Sequence, residues 1–446
     1  MTTKVLVPSG VLGLGFDREA LALGVAEGAD IIAIDGGSTD SGPFYLGTAQ
    51  SKYARATCKA EWRDLMLARA QLDVPLVIGS AGTCGADSMV DWMLALTQEL
   101  AVELGQSPKI ALLYSEQSQT TLQSRWSQIS PLAAAPAFEQ QDIDTLSHCV
   151  ALAGVEQIQA ALDTGADIII AGRCTDTAVI AALPISRGEH VAAAWHGGKI
   201  AECGALCTSH PVTGCVMLEV DQTGFTIRPL HPDAQCTPHS VSAHMLYENA
   251  DPVVLYEPGG HLDVSTAQYR ALDERSVRVE GSTWIKAERY TVKLEAARIR
   301  GYQYSLLALV RDPHYVKHIR QWSAHLQGFL HRLIEDTMGE LDYDLQLRLI
   351  GVDATLGELE FVESHPVEVG VLGLITASSD DQAQEIAKLC NPHFLHFSLT
   401  DDEPSVTFAF PYSPAETSRG AQYEFVFNHV MELIEPMDGF RLKVVS

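Results

Sequence analysis

The loop that begins at Asp35 carries the residue types best suited to chemistry in this chain. It reads Asp35-Gly36-Gly37-Ser38-Thr39-Asp40, so two carboxylates stand five residues apart on a glycine-rich segment. Carboxylates in this arrangement can hold a hard cation or divide the roles of general acid and general base. A solvated turn capped by Asp and Ser is the alternative. The candidate catalytic residues here are Asp35 and Asp40, and the candidate substrate-binding residues are Gly36, Gly37 and Ser38.

A second loop of small polar residues, Ser80-Ala81-Gly82-Thr83, follows an apolar run. It lacks the GxSxG spacing of the nucleophile elbow in serine hydrolases, so we expect its backbone N–H groups to cradle an oxyanion or a carboxylate. Cys84 beside it would be a nucleophile if a helix start favoured its thiolate, and a small buried residue is the alternative. The candidate substrate-binding residues of this loop are Ser80, Gly82 and Thr83.

Arg173 ends another apolar run, in the segment Gly172-Arg173-Cys174-Thr175-Asp176. A guanidinium at the end of a buried strand can clamp a substrate carboxylate through two parallel hydrogen bonds. The alternative is an internal salt bridge with Asp176 or another loop carboxylate. We expect Asp176 to cap the helix that follows, and we take Arg173 and Asp176 as candidate substrate-binding residues.

Three further residues are candidate acid–base groups. Glu202 stands in Glu202-Cys203-Gly204 and could act as a general base if it is desolvated. His210 belongs to a histidine-rich stretch in which satisfied structural residues are the alternative, and Lys293 could serve as a base or an electrostatic partner if it is buried. Arg419 precedes a predicted helix and could reach the pocket or a neighbouring subunit, or simply belong to a capped loop.

Cofactor motifs are weak in this sequence. Gly10 to Gly15 follow the order GxxGxG, whereas dinucleotide binding calls for GxGxxG, so no NAD is expected. The histidines lack HExxH spacing and we assign no metal ligand, although a divalent cation such as Mg²⁺ stays open for the Asp35 loop. The nine cysteines form no CxxC pair, and buried packing competes with an iron–sulfur cluster at Cys203, Cys207 and Cys215.

The elements that must position these loops alternate between apolar runs and amphipathic stretches. This alternation predicts an α/β fold with a parallel, doubly wound (Rossmann-like) sheet, whose ligands bind at the carboxyl ends of the strands. The predicted strands are Lys4–Pro8, Ile31–Asp35, Leu76–Ser80, Ile110–Tyr114 and Ile168–Ala171. The predicted crossover helices are Arg18–Ala29, Tyr53–Leu72, Ser88–Glu103 and Val155–Thr164.

The amino-acid composition changes after residue 190. Gly, Pro, Thr, His and Val dominate from about 191 to 300, which predicts a β-rich section covering the sheet edge. A core domain of residues 1–362 is then followed by a linker and a small α+β domain at 366–446. Its predicted order βαββαβ is ferredoxin-like, with strands at 394–399 and 405–410 and the second helix at Gln422–Leu433.

Composition excludes several classes of function. With 30 Lys and Arg against 57 Asp and Glu, the formal charge is −27, so nucleic acid is not an expected partner. The apolar runs are strand-sized, and the N-terminus MTTKVLVPSG lacks the pattern of a signal peptide. We therefore expect a cytoplasmic protein without a membrane partner, and a homo-oligomer.

Taken in order, several short motifs resemble the acyclic terpene utilisation A proteins over most of residues 1 to about 355. This family resemblance implies a cytoplasmic lyase that breaks down branched isoprenoid acids as CoA esters and is accompanied in relatives by a small ferredoxin-like module. The chain departs from the family pattern at Glu257-Pro258-Gly259-Gly260 and at 208–211. The motifs are Asp17-Arg18, Asp35-Gly36, Gly172-Arg173 with Asp176, Glu202-Cys203-Gly204, Leu246-Tyr247-Glu248, Asp251-Pro252, Val277-Arg278-Val279 and Lys293-Leu294.

These observations predict a lyase of carboxylic acid catabolism. It would be a hydratase, a dehydratase or a carbon–carbon cleaving enzyme acting on a branched hydroxy acid or its CoA ester. Arg173 would clamp the carboxylate, and Asp35, Asp40, Glu202 or His210 would move protons. The alternative is a non-catalytic, carboxylate-binding or assembly subunit that needs a partner.

Overall fold

The computed structural model describes residues 2–211, 214–363 and 365–445. The chain forms two compact units. The first comprises Met1–Arg298 and Phe425–Ser446, and the second comprises Ile299–Glu424. The boundary predicted at residues 362–366 lies inside the second unit. The last part of the chain, from Phe425, belongs to the first unit again.

A mixed sheet forms the framework of the first unit. Its central strands pair in parallel, and antiparallel strands extend it on both sides. All five predicted strands are confirmed to within one residue at each end. In spatial order the strands are Gln268–Ala271, Val277–Glu280, Gly224–Pro229, Val216–Val220, Thr3–Val7, Ile31–Asp35, Leu76–Gly79, Ile168–Ala171, Ile110–Tyr114 and Arg441–Val445.

The apolar runs of the parallel strands exist because both faces of the sheet are covered. Alternate residues such as Leu6 and Ile78 pack in one hydrophobic cluster, and Val5 and Val77 pack in another on the opposite face. All five residues of Ile31–Asp35 are accordingly buried. The helices whose residues join the first cluster are Arg18–Glu27, Arg55–Leu72 and Asp87–Leu104, and those joining the second are Val155–Leu162, Asp176–Ser186 and Val191–Ala201.

The section from 191 to 300 corrects two expectations. It begins with the helix Val191–Ala201, which was not predicted. The small residues of this helix, including Gly197 and Gly198, let it pack in the interior. The main sheet then continues beyond Thr3–Val7 with the strands Val216–Val220, Gly224–Pro229, Gln268–Ala271 and Val277–Glu280, where a cover over the sheet edge was expected. A separate antiparallel sheet contains Val254–Glu257, Gly260–Asp263 and Thr283–Lys286. Shorter helices are Pro43–Thr48, Gln119–Ser124 and Pro238–Ala243.

The C-terminal segment does not follow the predicted βαββαβ order. Val369–Ala377 is a strand and Asp380–His396 a helix, and that helix includes the start of the strand predicted at 394–399. Gln422–Leu433 was predicted to be a helix, but it lies in the strand Thr417–Leu433, where buried residues alternate from Phe427 to Leu433. The described residues 365–445 therefore give the order strand, helix, strand, strand.

The second unit is built on an antiparallel sheet. Tyr302–Val310 pairs with Val369–Ala377, which in turn pairs with Tyr343–Ile350. The helices Ile319–Met338 and Asp380–His396 bury Trp322 and other apolar residues against it, and Pro313–Lys317 precedes them. Within the described part of the chain, no helix has both the length and the apolar character that crossing a bilayer requires.

Candidate functional site

A cavity of about 370 Å³ lies in the first unit, at the carboxyl ends of the parallel strands. The loops after Thr3–Val7, Ile31–Asp35 and Ile168–Ala171 supply part of its lining, and residues near 203–214 and 247–248 supply another part. The cavity therefore lies at the sheet edge where the sequence predicted it. Asp35 and Asp176 line it from two of these loops.

Asp35 has the most unusual environment in the cavity. It ends its strand at 6% exposure, and its Oδ2 accepts a hydrogen bond of 2.8 Å from the Gly37 amide. Its Oδ1 is buried and has no hydrogen-bond partner among the described residues. Burial raises the pKa of Asp35 well above its ordinary value; the charge of Asp176 adds to this, and Arg173 opposes it. Asp35 is therefore a carboxyl group that gives up its proton less readily than an exposed aspartic acid does.

Asp176 is a second carboxyl with an altered affinity for protons. Burial raises its pKa to about 6, although the charges of Arg173 and Lys199 work in the opposite direction. It occupies the first position of the helix Asp176–Ser186, and Thr175 caps that helix through a 3.2 Å bond from the Ala178 amide. The prediction that Asp176 itself is the cap was wrong by one residue. Its carboxylate lines the cavity, where its Oδ1 lies 3.7 Å from Arg173 Nη1.

The rest of the Asp35 loop is shaped by close backbone contacts. The Gly36 amide donates to the Gly79 carbonyl at 2.7 Å, and Gly37 has a φ of +132°. Ser38 caps a short turn by accepting from the Asp40 amide at 3.0 Å, so the capped turn considered as an alternative is present. Gly37, Ser38 and Asp40 nevertheless line the cavity.

Gly37→Ala should lower the free energy of unfolding by about 2 to 4 kcal/mol. A Cβ at this position would lie 2.6 Å from the Thr83 Cα, and the backbone conformation disfavours any side chain. Gly42→Ala is the matched control, because Gly42 has a φ of +106° with open space around it. Urea unfolding of both variants checks the difference. Equal losses for the two would contradict the close approach of the Asp35 and Ser80 loops.

Arg173 is engaged in an internal ion-pair network. Its Nε donates to Glu295 Oε2 at 3.0 Å, and its Nη1 donates to Ser80 Oγ at 3.0 Å and to the Cys174 carbonyl at 3.2 Å. Arg173 and Glu295 are each only 7% exposed. Burial alone would raise the pKa of Glu295, but Arg173 and Lys293 hold it at about 2. The guanidinium thus forms the internal salt bridge considered as an alternative, and its main partner lies outside the loops.

The Ser80 loop is hydrogen-bonded to the end of the neighbouring strand Ile168–Ala171. The amides of Ser80 and Ala81 donate to the carbonyls of Gly172 and Ala171, so these groups, which we expected to hold an oxyanion, are already used. The chain turns at Gly82, where φ is +62°. Thr83 Oγ1 accepts from the Lys52 amide at 3.0 Å. Cys84 is fully buried, and burial raises its pKa to about 11, which disfavours a nucleophilic thiolate.

Glu202 lies deep beside the cavity. It caps the end of the helix Val191–Ala201, where its Oε1 is 2.5 Å from Lys199 Nζ and its Oε2 accepts from Thr177 at 2.8 Å. Burial raises the pKa of Glu202 to about 7, although Lys199 opposes this. Cys203, the next residue, lines the cavity.

Three predicted site residues are placed elsewhere. His210 is exposed and stacks on His231, with the ring centroids 5.0 Å apart. Lys293 is 43% exposed and its Nζ lies 3.0 Å from Glu295 Oε1. Arg419 is exposed on the strand Thr417–Leu433, in the second unit.

Several lining residues were not predicted. Lys52 and Tyr53 border the cavity. They lie in the segment before the helix, which begins at Arg55 and not at Tyr53 as expected. Tyr247 and Glu248 also border it, and the Leu246-Tyr247-Glu248 motif is the only sequence signal that marks them. Their contribution depends on a short turn, His244–Leu246, that follows the helix Pro238–Ala243.

Comparison with known protein families gives one match. The model of the acyclic terpene utilisation family protein AtuA matches residues 50–398. The chain belongs to this family. No curated protein and no solved structure matches it.

The match to the AtuA family covers about half of the residues that line the cavity. Asp176, Cys203, Tyr247 and Glu248 fall within the matched residues, and Asp35 precedes them. The sequence resemblance to acyclic terpene utilisation A proteins is thus confirmed at the level of the family.

Proposed function

We propose that this member of the AtuA family is a catabolic lyase, a hydratase, dehydratase or carbon–carbon cleaving enzyme, for a branched hydroxy acid or its CoA ester. The proposal rests on one observation: two carboxyl groups whose pKa values are both raised, Asp35 and Asp176, line the same cavity. The family name supplies the substrate context, the utilisation of acyclic terpenes.

A lyase needs a proton acceptor and a proton donor at the same time. Removing water takes a proton from carbon and gives one to the leaving hydroxyl, and cleaving a carbon–carbon bond beside a hydroxyl takes that hydroxyl's proton and gives one to the new carbanion. With a pKa of about 6, Asp176 is mostly ionised at neutral pH and suits the base. Asp35, whose pKa is raised well above the ordinary value, suits the acid.

The charge of the cavity favours one substrate form. Asp35, Asp40, Asp176 and Glu248 border it, whereas Lys52 is the cation among its lining residues. The ionised ones among these side chains would repel a free carboxylate beside the reacting carbons, whereas the thioester end of a CoA ester is uncharged. We therefore favour the CoA ester, since Arg173, which was expected to clamp a carboxylate, is engaged with Glu295.

Ligand-dependent stabilisation tests this choice. We expect branched acyl-CoA esters to raise the melting temperature of the purified chain, since a ligand at about 100 times its Kd adds roughly 2.7 kcal/mol. Free di- and tricarboxylates should leave it unchanged. Stabilisation by free acids alone would contradict the CoA ester. Stabilisation without turnover of any bound ester would point to a non-catalytic binding subunit.

A further inference from the structure

Three side chains of different chemistry converge beside the cavity. Glu202, Cys203 and His244 each offer one potential ligand atom, and these three atoms lie within 4.8 Å of one another. Glu202 and Cys203 directly follow the helix Val191–Ala201, and His244 begins the short turn His244–Leu246. An oxygen, a sulfur and a nitrogen donor are thus brought together by two segments forty residues apart.

His244 supplies an independent indication that a ligand belongs there. Its side chain is 4% exposed, and its Nε2 is buried without a hydrogen-bond partner among the described residues. Buried polar atoms in native proteins almost always have a hydrogen-bond partner, because a buried atom without one has lost its hydrogen bond to water and has not replaced it. A metal ion at the lone pair of Nε2 would satisfy this atom.

The surroundings suit a cation as well. Cys203 lines the cavity together with the carboxyl groups of Asp40, Asp176 and Glu248. A bound dication would balance the negative charge of the ionised ones among them. Each oxygen of Glu202 keeps a lone pair besides the one used by Lys199 or Thr177, so these two residues can orient the carboxylate as outer-shell partners of the metal.

We propose that Glu202, Cys203 and His244 bind one Zn²⁺ ion. Mixed carboxylate, thiolate and imidazole ligands favour zinc over Mg²⁺ or Ca²⁺, which prefer oxygen ligands. On binding, the Cys203 thiol releases its proton to water and its sulfur bonds to the metal. Because Cys203 lines the cavity, the fourth position of the ion faces the substrate space, as in catalytic zinc sites with three protein ligands. The site goes beyond the lyase proposed above and does not depend on it.

Cobalt titration of the metal-free full-length chain tests the site without any turnover. We expect one Co²⁺ per chain and a thiolate-to-cobalt charge-transfer band. The band should vanish in Cys203→Ser, and the affinity should fall roughly 100-fold or more in His244→Ala and Glu202→Gln. Cys207→Ser is the control and should keep the band, since Cys207 is a buried thiol near Cys236 outside the cluster.

X-ray absorption of the zinc-loaded wild-type chain provides a test that needs no variant. We expect one sulfur at about 2.3 Å from zinc together with nitrogen and oxygen ligands. A shell without sulfur, a band that survives in Cys203→Ser or disappears in Cys207→Ser, or no stoichiometric binding would overturn the proposal. Because each readout is binding alone, its failure is distinguishable from a failure of the lyase.

Discussion

Arg173→Met is expected to lower the free energy of unfolding by about 3 to 5 kcal/mol, the usual cost of breaking a buried ion pair. The change leaves Glu295 at 7% exposure with Lys293 as its one charged partner among the described residues, and Lys293 is itself partly exposed. Ser80 Oγ also loses its donor. Urea denaturation at pH 7 measures the loss.

A second variant separates the ion pair from general damage at this position. Glu295→Gln in the Arg173→Met background should recover part of the lost stability, because it removes the unpaired charge. If Arg173→Met left stability unchanged but weakened ligand binding, the guanidinium would be a substrate clamp after all.

The ion pair also predicts a pH dependence. The pKa of Glu295 is held at about 2 in the folded chain, below the ordinary value of 4.5. A carboxyl with a lowered folded-state pKa contributes stability that is present above pH 4.5 and is lost as the pH falls toward 2. The wild-type chain should therefore lose this contribution across that window, whereas Glu295→Gln should not.

The parallel strands could be predicted because the sheet is covered on both faces. Burial on both sides produces continuous apolar runs such as Ile31–Asp35, and these runs are visible without knowledge of their neighbours. Gln422–Leu433 was misread because its alternating buried residues depend on a distant partner. Residues His429 to Met431 of that strand pair with Ile129–Pro131, about 300 positions earlier.

The candidate site likewise contains residues that could be predicted from the sequence and contacts that could not. Asp35 and Asp176 were found from sequence because each lies close to the carboxyl end of a predictable strand, beside glycine and short polar residues. The partner of Arg173 was not found, because Glu295 reaches it through the antiparallel pairing of Leu294–Arg298 with Leu146–Ala151. Strand register between segments that far apart leaves no signal in the spacing of residues.

Asp35→Asn and Asp176→Asn should each reduce the kcat of the lyase about 10²- to 10⁴-fold, the usual contribution of a positioned acid or base. Asparagine keeps the size of the side chain and, at position 35, an oxygen that can accept from the Gly37 amide. The variants therefore remove proton transfer with little change in packing. Turnover of the ester that stabilises the chain is the measurement, and Asp163→Asn, an exposed carboxyl, is the control.

The pH profile then assigns the two roles. The assigned roles require Asp35 to keep its proton at a pH where Asp176 has lost its own. In the wild-type chain, kcat/KM should therefore rise through pH 6 as Asp176 ionises and fall when Asp35 ionises. Asp176→Asn should abolish the rise, and Asp35→Asn should abolish the fall in the activity that remains. A profile that kept both limbs in both variants would show that other groups carry the protons. Reversed losses would exchange the acid and the base.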